Sequence, residues 1–583
     1  MQENPPLPTA HWCALGQMPS GDFMMAAIAA GGEPQEPVVV PANDLAAFVA
    51  GLEASSAPRW VWHHTPAIYA TLLASGVRVE RCHDLTLCHQ ILRSSEFVRD
   101  RSAFQLLDWA APEPPQGPTA ATAGPARFDL DTQPATSRNP FEITDVLREF
   151  ERQRNAVNTS ARPGRLALLL AAESAGALIA SELAAAGLPW DSREHDRILT
   201  ESLGPRPATY AEKPAKLAAA GDRVRAALGD PNASLDSPPK LLTALRRAGI
   251  HASSTSQWEL AEYDHPAIAP LLEYKKLSRL LTANGWAWLD EWVTDDRYRP
   301  VYLPGGVVTG RWASSGGGAL QLPRSLRPAL RADPGWKLVS ADVSQLEPRA
   351  LAAMSGDRAM ASAGRGKDLY EGIVRSSAIE SRDEAKIAML GAMYGATSGE
   401  SGRLLPHLRR AFPAAMGFVD RAAETGERGG AVSTWLGRST PPVEPDWQEA
   451  QSLASQPGAT QRDEQNARRA ARDRGRFTRN FVVQGTAAEW ALAWLAEIRR
   501  NLAAFPEVQS DRAAAASGPV FGRRPHLAFF LHDEIIVHSP AEHADAVAQV
   551  VLDAADTAAE LLFRGGDVDF RLDLSISDRA TKS

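Results

Sequence analysis

The chain of 583 residues has three cysteines, Cys13, Cys82 and Cys88. So few exclude a disulfide framework and point to a reducing compartment, the cytoplasm. Cys82, His83, Cys88 and His89 stand close together, but their spacing matches no common zinc pattern and no second half-site follows. Packing is their expected role. No apolar stretch reaches the roughly 18 residues that cross a bilayer. The start, MQENPPLPTAHW, lacks the basic and apolar regions of a signal peptide. No membrane partner is expected. Positive charge is also lacking: the net charge is −8. Composition therefore does not advertise nucleic-acid binding, although a basic cleft can sit in an acidic body.

The bases present are concentrated. Arg311, Arg324, Arg327 and Arg331 lie close together with no acid among them, and "NARRAARDRGRFTRN" spans 466–480. Either cluster also suits a solvated helical face. The 44% hydrophobic and 23% charged fractions are those of a globular protein. At roughly 100–200 residues per domain, about three or four structural units are expected. Residues 1–110 alternate short apolar strands (38–40, 60–62) with helical segments (45–52, 67–74, 85–92), a small α/β domain. Residues 111–140 are rich in Pro, Ala, Thr and Gly and read as a linker. Helical periodicity dominates from 141 to about 292, with segments at 166–186, 213–228, 240–248 and 270–282. The polar stretch 439–475 reads as a mobile insertion. Strand character returns at 527–530, 535–537 and 570–575. No internal repeat is found.

Four stretches carry chemistry. In "VSADVSQLEPRALAAMSGD" an apolar strand leads to Asp342, and a helical pattern begins near Glu347. A carboxylate at the exit of a buried strand is expensive. An Asp before an apolar-periodic run is also a common helix cap. In "LAFFLHDEIIVHS" two apolar strands flank His532 and Asp533, a hairpin with acids at its tip. If this hairpin pairs beside the strand of Asp342, the two carboxylates approach closely and need cations between them. Hard divalent ions such as Mg²⁺ suit them, and two-metal sites catalyse in-line phosphoryl displacement. An exposed polar hairpin tip is the plainer alternative. In "RDEAKIAMLGAMYG" Arg382, Lys386, Leu390 and Tyr394 are four apart and form one helical stripe. The cations suit a triphosphate, and the next two residues suit a sugar and base. A surface ion pair running into a packed stripe has the same spacing. Arg476, Asn480 and Gln484 repeat it. Such groups can donate to minor-groove acceptors common to every base pair, or form a polar surface helix.

Together these stretches resemble the family A DNA polymerases, the bacterial DNA polymerase I type, in the family's order over most of residues 160–583. "TGRWASSGGGALQLP" resembles the Thr-Gly-Arg segment that touches primer-template. "SADVSQLEPRALA", "RDEAKIAMLGAMYG" and "LHDEIIVHS" resemble motifs A, B and C, and "RFTRNFVVQGTAAE" resembles the Arg-x-x-x-Asn-x-x-x-Gln-Gly-Thr helix. Segments within 232–281 resemble thumb sequences more faintly. The resemblance implies a right-hand fold, α/β and α+β in class. Residues 161–305 would form the thumb and start of the palm, 306–365 the palm with motif A, 366–484 the fingers, and 485–583 the palm with motif C. It implies a DNA-templated DNA polymerase of replication or repair, a cytoplasmic, nucleoid-associated monomer acting on primer-template DNA and deoxynucleoside triphosphates with two Mg²⁺ ions. Asp342 and Asp533 would be the metal ligands, with Glu534 supporting them. Arg382 and Lys386 would hold the triphosphate. Glu347 would crowd the sugar 2′ position, and Tyr394 would stack near the templating site. Gln345, Arg311, Asn480 and Gln484 would contact sugar or minor groove, Arg476 the template side and His532 the primer terminus. Three residues depart from the family pattern: Leu390 and Val343 replace aromatics, and Pro348 replaces an aliphatic. They bear on sugar selection, speed and fidelity.

The N-terminal region resembles a ribonuclease H-like 3′–5′ exonuclease domain more faintly, closed by a helix over 141–160. The Asp-x-Glu pair expected on its first strand is absent from "HWCALGQMPSG", and no acid stands near residues 66–69. Asp145 remains, with Phe141 where a Tyr is expected. One ligand cannot hold two metals, so the expected domain is degenerate. No region resembles the 5′-nuclease domain. The alternatives are an active bifunctional enzyme with exonuclease ligands such as Asp22, Asp84 or Asp108, and a catalytically weak, polymerase-like DNA-binding protein.

Overall fold

The computed structural model describes residues 11–29, 32–105, 109, 141–318, 322–395 and 399–580; Asp108 and the 111–140 linker lie outside them. The N-terminal sheet has five strands in the order Val38–Val40, Phe23–Ile28, Trp12–Gln17, Arg59–Trp62, Arg81–Asp84. The first three pair antiparallel, and the last two join in parallel. Trp12–Gln17 and Phe23–Ile28 are almost wholly buried. Strands covered on both faces lose the polar alternation that marks a strand in sequence; only the resemblance placed the first strand within "HWCALGQMPSG", and Phe23–Ile28 was not legible.

The two faces of Trp12–Gln17 look into different cores. Cys13 and Leu15 pack with Trp60 and Leu72. Ala14 packs with Ile143, Val146 and Phe150 of the helix Ile143–Asn158. A Cβ at Gly16 would collide with the Ile143 amide nitrogen. Residues 14 and 16 are thus the pair that faces the helix carrying Asp145, and the space for acidic side chains there is filled.

The helix Pro163–Ala186 is long and apolar enough to cross a membrane by length and composition, but 72% of its most apolar window is buried inside the protein. Two acids, Glu173 and Glu182, interrupt it, and both are buried and paired with arginines, Arg438 and Arg499. Farther along, Ala215–Leu228, Pro238–Arg247 and Ile268–Asn284 surround a small core of their own.

The C-terminal half is built on a four-stranded antiparallel sheet, in the order His526–Leu531, Glu534–Pro540, Trp336–Val343, Leu572–Ser577. Behind it runs the 42-residue helix Gln461–Leu502, packed against Pro413–Glu427, Ala544–Phe563 and Pro163–Ala186. Much of the stretch 439–475, read as a mobile insertion, is helical: Pro445–Ala454 and the first turns of Gln461–Leu502 occupy it. It lacks a long apolar stripe because it stands in solvent. A capping box between Thr460 and Asp463 starts the long helix, and pairs such as Arg468–Glu464 lie along it.

Candidate active site

Asp342 is the penultimate residue of its strand, not a residue beyond it, and lies opposite Glu534 on one side and Asp573 on the other. It does not cap the next helix. That cap is Gln345, held in the left-handed region at φ 54°. The His532–Asp533 turn folds over the end of the strand, with His532 at φ 57° and the Val343 N–H donating to the Asp533 carbonyl at 2.9 Å. Pairing of the hairpin with the central strand thus brings Asp342 and Asp533 to one end of the sheet.

Asp533 and His532 line a cleft of about 310 Å³ together with Arg311, Gln345, Glu347, Leu390 and Tyr394. Glu347 is fixed from two sides: Arg311 pairs with its Oε1, and the Tyr394 hydroxyl donates to its Oε2 at 2.7 Å. Burial first, and then Glu347, push the Tyr394 phenol up to about 12. Burial and then Arg311 lower His532, so its imidazole stays neutral at neutral pH. Glu534 is gripped by Arg327 through two bonds of 2.8 and 2.7 Å. That occupies its oxygens in supporting the hairpin.

The opposite wall is the helix Arg382–Tyr394, capped by Ser381 and ended by Gly395 at φ 75°. Its stripe runs along the exposed side: Arg382, Lys386 and Tyr394 are exposed and Leu390 is half-buried. At 1.5 Å per residue the stripe spans about 18 Å, and its two cations lie beyond the cleft's own lining. Arg382 donates to Asp368 at 2.9 Å and lies over the Tyr370 ring. Asp368 also accepts from the Gln345 amide at 3.1 Å. On the long helix, Arg476 pairs with Asp473, Gln484 accepts from the Thr309 hydroxyl at 2.8 Å, and the buried Oδ1 of Asn480 has no hydrogen-bond partner among the described residues.

Sequence reasoning missed several parts of this site. Tyr370 and Trp312 also line the cleft, beside Pro348, which the sequence marks as a departure from the family pattern. Pro348 sits in the first turn of Leu346–Ser355, where a missing N–H costs nothing. The buried Arg349 donates to the carbonyls of Ser344, Gly364, Lys367 and Asp569 and so pins the turn after Asp342. An arginine in an apolar helical run was a readable signal; its four partners, spread over 225 residues of sequence on the order of a whole domain, were not.

Two carboxylates brought to one end of a sheet fit Mg²⁺, which takes oxygen donors and is commonly held by one or two carboxylates plus substrate phosphates. Among the described residues no set of three His, Cys, Asp or Glu side chains stands ready to hold a metal. The substrate would complete the donor set.

Among the described residues the N-terminal domain offers no comparable centre. Asp145 pairs with Arg148 at 3.6 Å. Asp84 caps the helix Leu85–Ser94 and accepts the Thr65 amide at 2.7 Å. Asp22 is engaged in its own turn with Ser20 and Ala42. His83 bonds Gln153, and His89 bonds Glu149 and the Phe104 carbonyl. Trp109 stacks on Phe141 at 4.4 Å.

A sequence model of DNA polymerase family A matches residues 234–580. DNA polymerase I of Chloroflexus aurantiacus is 27% identical over 340 residues, 54% of this chain and 32% of that protein. The thermostable DNA polymerase I of Thermus aquaticus is 25% identical over 338 residues, 52% of this chain and 36% of that protein. The chain thus spans about a third of the length of these curated relatives. The POL domain of Pol1 from M. smegmatis, in a complex with DNA primer-template and dNTP, superposes with a TM-score of 0.66, covering 97% of this chain and 95% of that chain at 16% identity. That likeness establishes the fold over both halves. The family match takes in more than half of the chain, including both hairpin strands, the Asp342 strand and the Arg382 helix, and the chain belongs to DNA polymerase family A.

Proposed function

We propose that the chain is a DNA-templated DNA polymerase that adds deoxynucleotides to a primer 3′ end, in DNA replication or repair. The observation that carries this reading is the pairing that brings Asp342 and Asp533 to one end of the sheet, with Asp533 lining a cleft that Leu390 and Tyr394 of the Arg382–Tyr394 helix also line. Asp342 and Asp533 would hold two Mg²⁺ ions, which supply positive charge to the primer hydroxyl and to the leaving pyrophosphate. Lys386 and Arg382 bind the triphosphate, Arg382 exchanging Asp368 for phosphate oxygens. Leu390 and Tyr394 bound the sugar and base. Arg311, Asn480 and Gln484 orient the terminal base pair from the minor groove, Arg476 the template and His532 the primer end. Most of the acceleration is then positioning and charge neutralisation. The three buried free thiols fit the reducing cytoplasm.

Primer extension with Mg²⁺ and four deoxynucleotides tests the reading. Full extension is expected. Binding of primer-template without extension would favour the DNA-binding alternative instead.

The N-terminal domain acts as a scaffold without nuclease chemistry, because Ala14 and Gly16 occupy the face that would carry the acids. No metal-dependent 3′–5′ degradation of a single strand is expected without nucleotides. Degradation that disappears in Asp145→Ala would overturn this.

Glu347, held by Arg311 and Tyr394, is rigid enough to act as a steric gate. Glu347→Ala is expected to lower the deoxy-over-ribo ratio of kcat/KM about ten- to hundredfold, the range of a filled or emptied pocket position. Glu347→Gln keeps the bulk and should keep the ratio. Equal ratios in wild type and Glu347→Ala would place the gate elsewhere.

A further inference from the structure

Gln484 lies on the long helix, which lines the cleft through Ala487 and Ala488, while Thr486 and Glu489 just beyond it turn to another side. There they meet a loop, residues 434–439. The Thr486 hydroxyl accepts the Trp435 N–H at 2.9 Å. The Glu489 carboxyl accepts the Leu436 N–H at 2.9 Å and bonds the Thr434 hydroxyl. Three successive loop residues are therefore pinned within about one and a half turns of Gln484. The loop is stiff in itself: Thr434 and Arg438 exchange two bonds of 2.8 and 2.9 Å, and the hydroxyls of Ser433 and Ser439 meet at 2.7 Å.

The same loop backs the segment that carries Arg311. Arg438 donates to the buried Glu173 at 2.6 Å. Its guanidinium lies so close to Gly310 that a Cβ there would stand 2.6 Å from Nε. Thr309, the next residue back, donates to Gln484. A Cβ at Gly485 would collide with the Thr434 methyl and lie 3.1 Å from the Thr309 carbonyl.

The other side of the loop rests on the N-terminal domain. The fully buried Ser95 donates to the Gly437 carbonyl at 2.7 Å, and the Ser439 hydroxyl accepts the Glu96 N–H at 2.9 Å. Gly437 is at φ 116°, and a Cβ there would press into the Phe97 ring. A domain whose nuclease face is filled with apolar groups thus ends in direct contact with the loop that braces Gln484 and Arg311.

We propose that the 434–439 loop transmits the position of the N-terminal domain to Gln484 and Arg311, with Ser95, Arg438 and Glu489 as positioning residues for primer-template DNA. The inference rests on the polymerase reading, since it assigns Gln484 and Arg311 to DNA contact.

The loop also carries a pH signature. Burial pushes the Glu489 carboxyl up to about 7, against the bonds from Thr434 and Leu436 and the nearby Arg438; Arg165 and Glu173 are the other charges that face it. Its folded pKa is raised, so docking of the loop is strongest where Glu489 is protonated, weakens as pH rises from the ordinary carboxylate range to about 7, and is level above.

The test compares Ser95→Ala, Ser95→Thr and Val49→Ala with wild type by KM for primer-template, kcat and unfolding midpoint. Val49 is buried in the core of the N-terminal domain, away from the loop. Ser95→Ala is expected to raise KM for primer-template about fivefold, which is ~1 kcal/mol, the contribution of one hydrogen bond, with kcat unchanged; Ser95→Thr should restore most of it. Val49→Ala should lower the midpoint yet leave KM within about twofold, the spread of a variant that removes no contact to the loop. Glu489→Gln should hold KM level across pH 5–8, where wild-type KM rises and then levels near 7. An unchanged KM in Ser95→Ala, an equal rise in Val49→Ala, or a wild-type pH profile in Glu489→Gln would each overturn the inference. Should wild type fail to extend primers, the polymerase reading falls on its own. The same comparisons are then made on primer-template dissociation constants, where the same outcomes decide.

Discussion

Asp342→Ala and Asp533→Ala are each expected to lower incorporation at least a thousandfold, about 4 kcal/mol in activation free energy. Each removes one of the two carboxylates that strand pairing brings to one end of the sheet, and with it, on the proposed reading, charge that would hold Mg²⁺ against the triphosphate. Affinity for primer-template should stay within about threefold, because phosphate contacts dominate DNA binding and neither acid makes one. The comparison needs single-turnover incorporation and equilibrium binding on the same preparations. Extension by either variant near the wild-type rate in Mg²⁺ would remove that residue from the metal role. Loss of binding in parallel with activity would mean the acid holds the fold of the turn instead. For Asp533 that outcome has a distinct origin, since its backbone carbonyl, not its side chain, takes the Val343 N–H. A side-chain replacement leaves that bond available.

What was legible in the sequence was what a few neighbouring residues decide. An apolar run ending in an acid located the strand of Asp342. Two apolar runs around His532 and Asp533 located the hairpin, and spacing by four placed Arg382, Lys386, Leu390 and Tyr394 on one exposed stripe. The Pro163–Ala186 helix also declared itself. The long helix carried its start signal in Thr460 and Asp463, yet the charged residues after it read as a loop, because solvated turns held by ion pairs show no apolar stripe.

The rest depends on partners far apart in sequence. Arg382 reads as a free phosphate ligand, but the fold gives it Asp368, which also holds Gln345. Glu347 reads as a steric residue, and the fold adds Arg311 and Tyr394 to fix it. The absent nuclease acids were noticed as a gap in a motif. That residues 14 and 16 face Asp145's helix follows only from the strand's pairing and burial. A missing charge is legible in sequence; what fills its place is not.

A buried ionic cluster helps to attach the N-terminal domain, and Arg499→Ala is expected to loosen it. Arg499, near the end of the long helix, is 6% exposed. It donates to both oxygens of Glu182 at 2.9 and 2.6 Å, and to the carbonyls of Glu80 and Val79 at 2.7 and 2.6 Å. Arg78 and the Tyr69 hydroxyl complete the ring around Glu182 at 3.2 and 2.6 Å. Two of these six residues belong to the long helix and Pro163–Ala186, and the other four to the N-terminal domain. Removing the guanidinium leaves a buried carboxylate with one cation and takes this donor from the buried Val79 carbonyl and from the Glu80 carbonyl. Breaking a buried pair from one side costs about 3–5 kcal/mol. Urea unfolding should therefore show an early transition for the N-terminal domain that wild type lacks, and proteolysis should cut near its boundary. The double replacement Glu182→Leu with Arg499→Met should recover much of the loss, because it removes both charges together. Acid should mimic the single variant. Burial pushes the Glu182 carboxyl up, but Arg499 and Arg78 outweigh it and hold the group below the usual carboxylate range. A depressed folded pKa gives stability that is present above the unfolded pKa and lost as pH falls through the folded one. Wild-type docking should thus be level near neutrality and fail only in strong acid. A single wild-type-like transition in Arg499→Ala would show that apolar packing between the domains, rather than this cluster, holds them together.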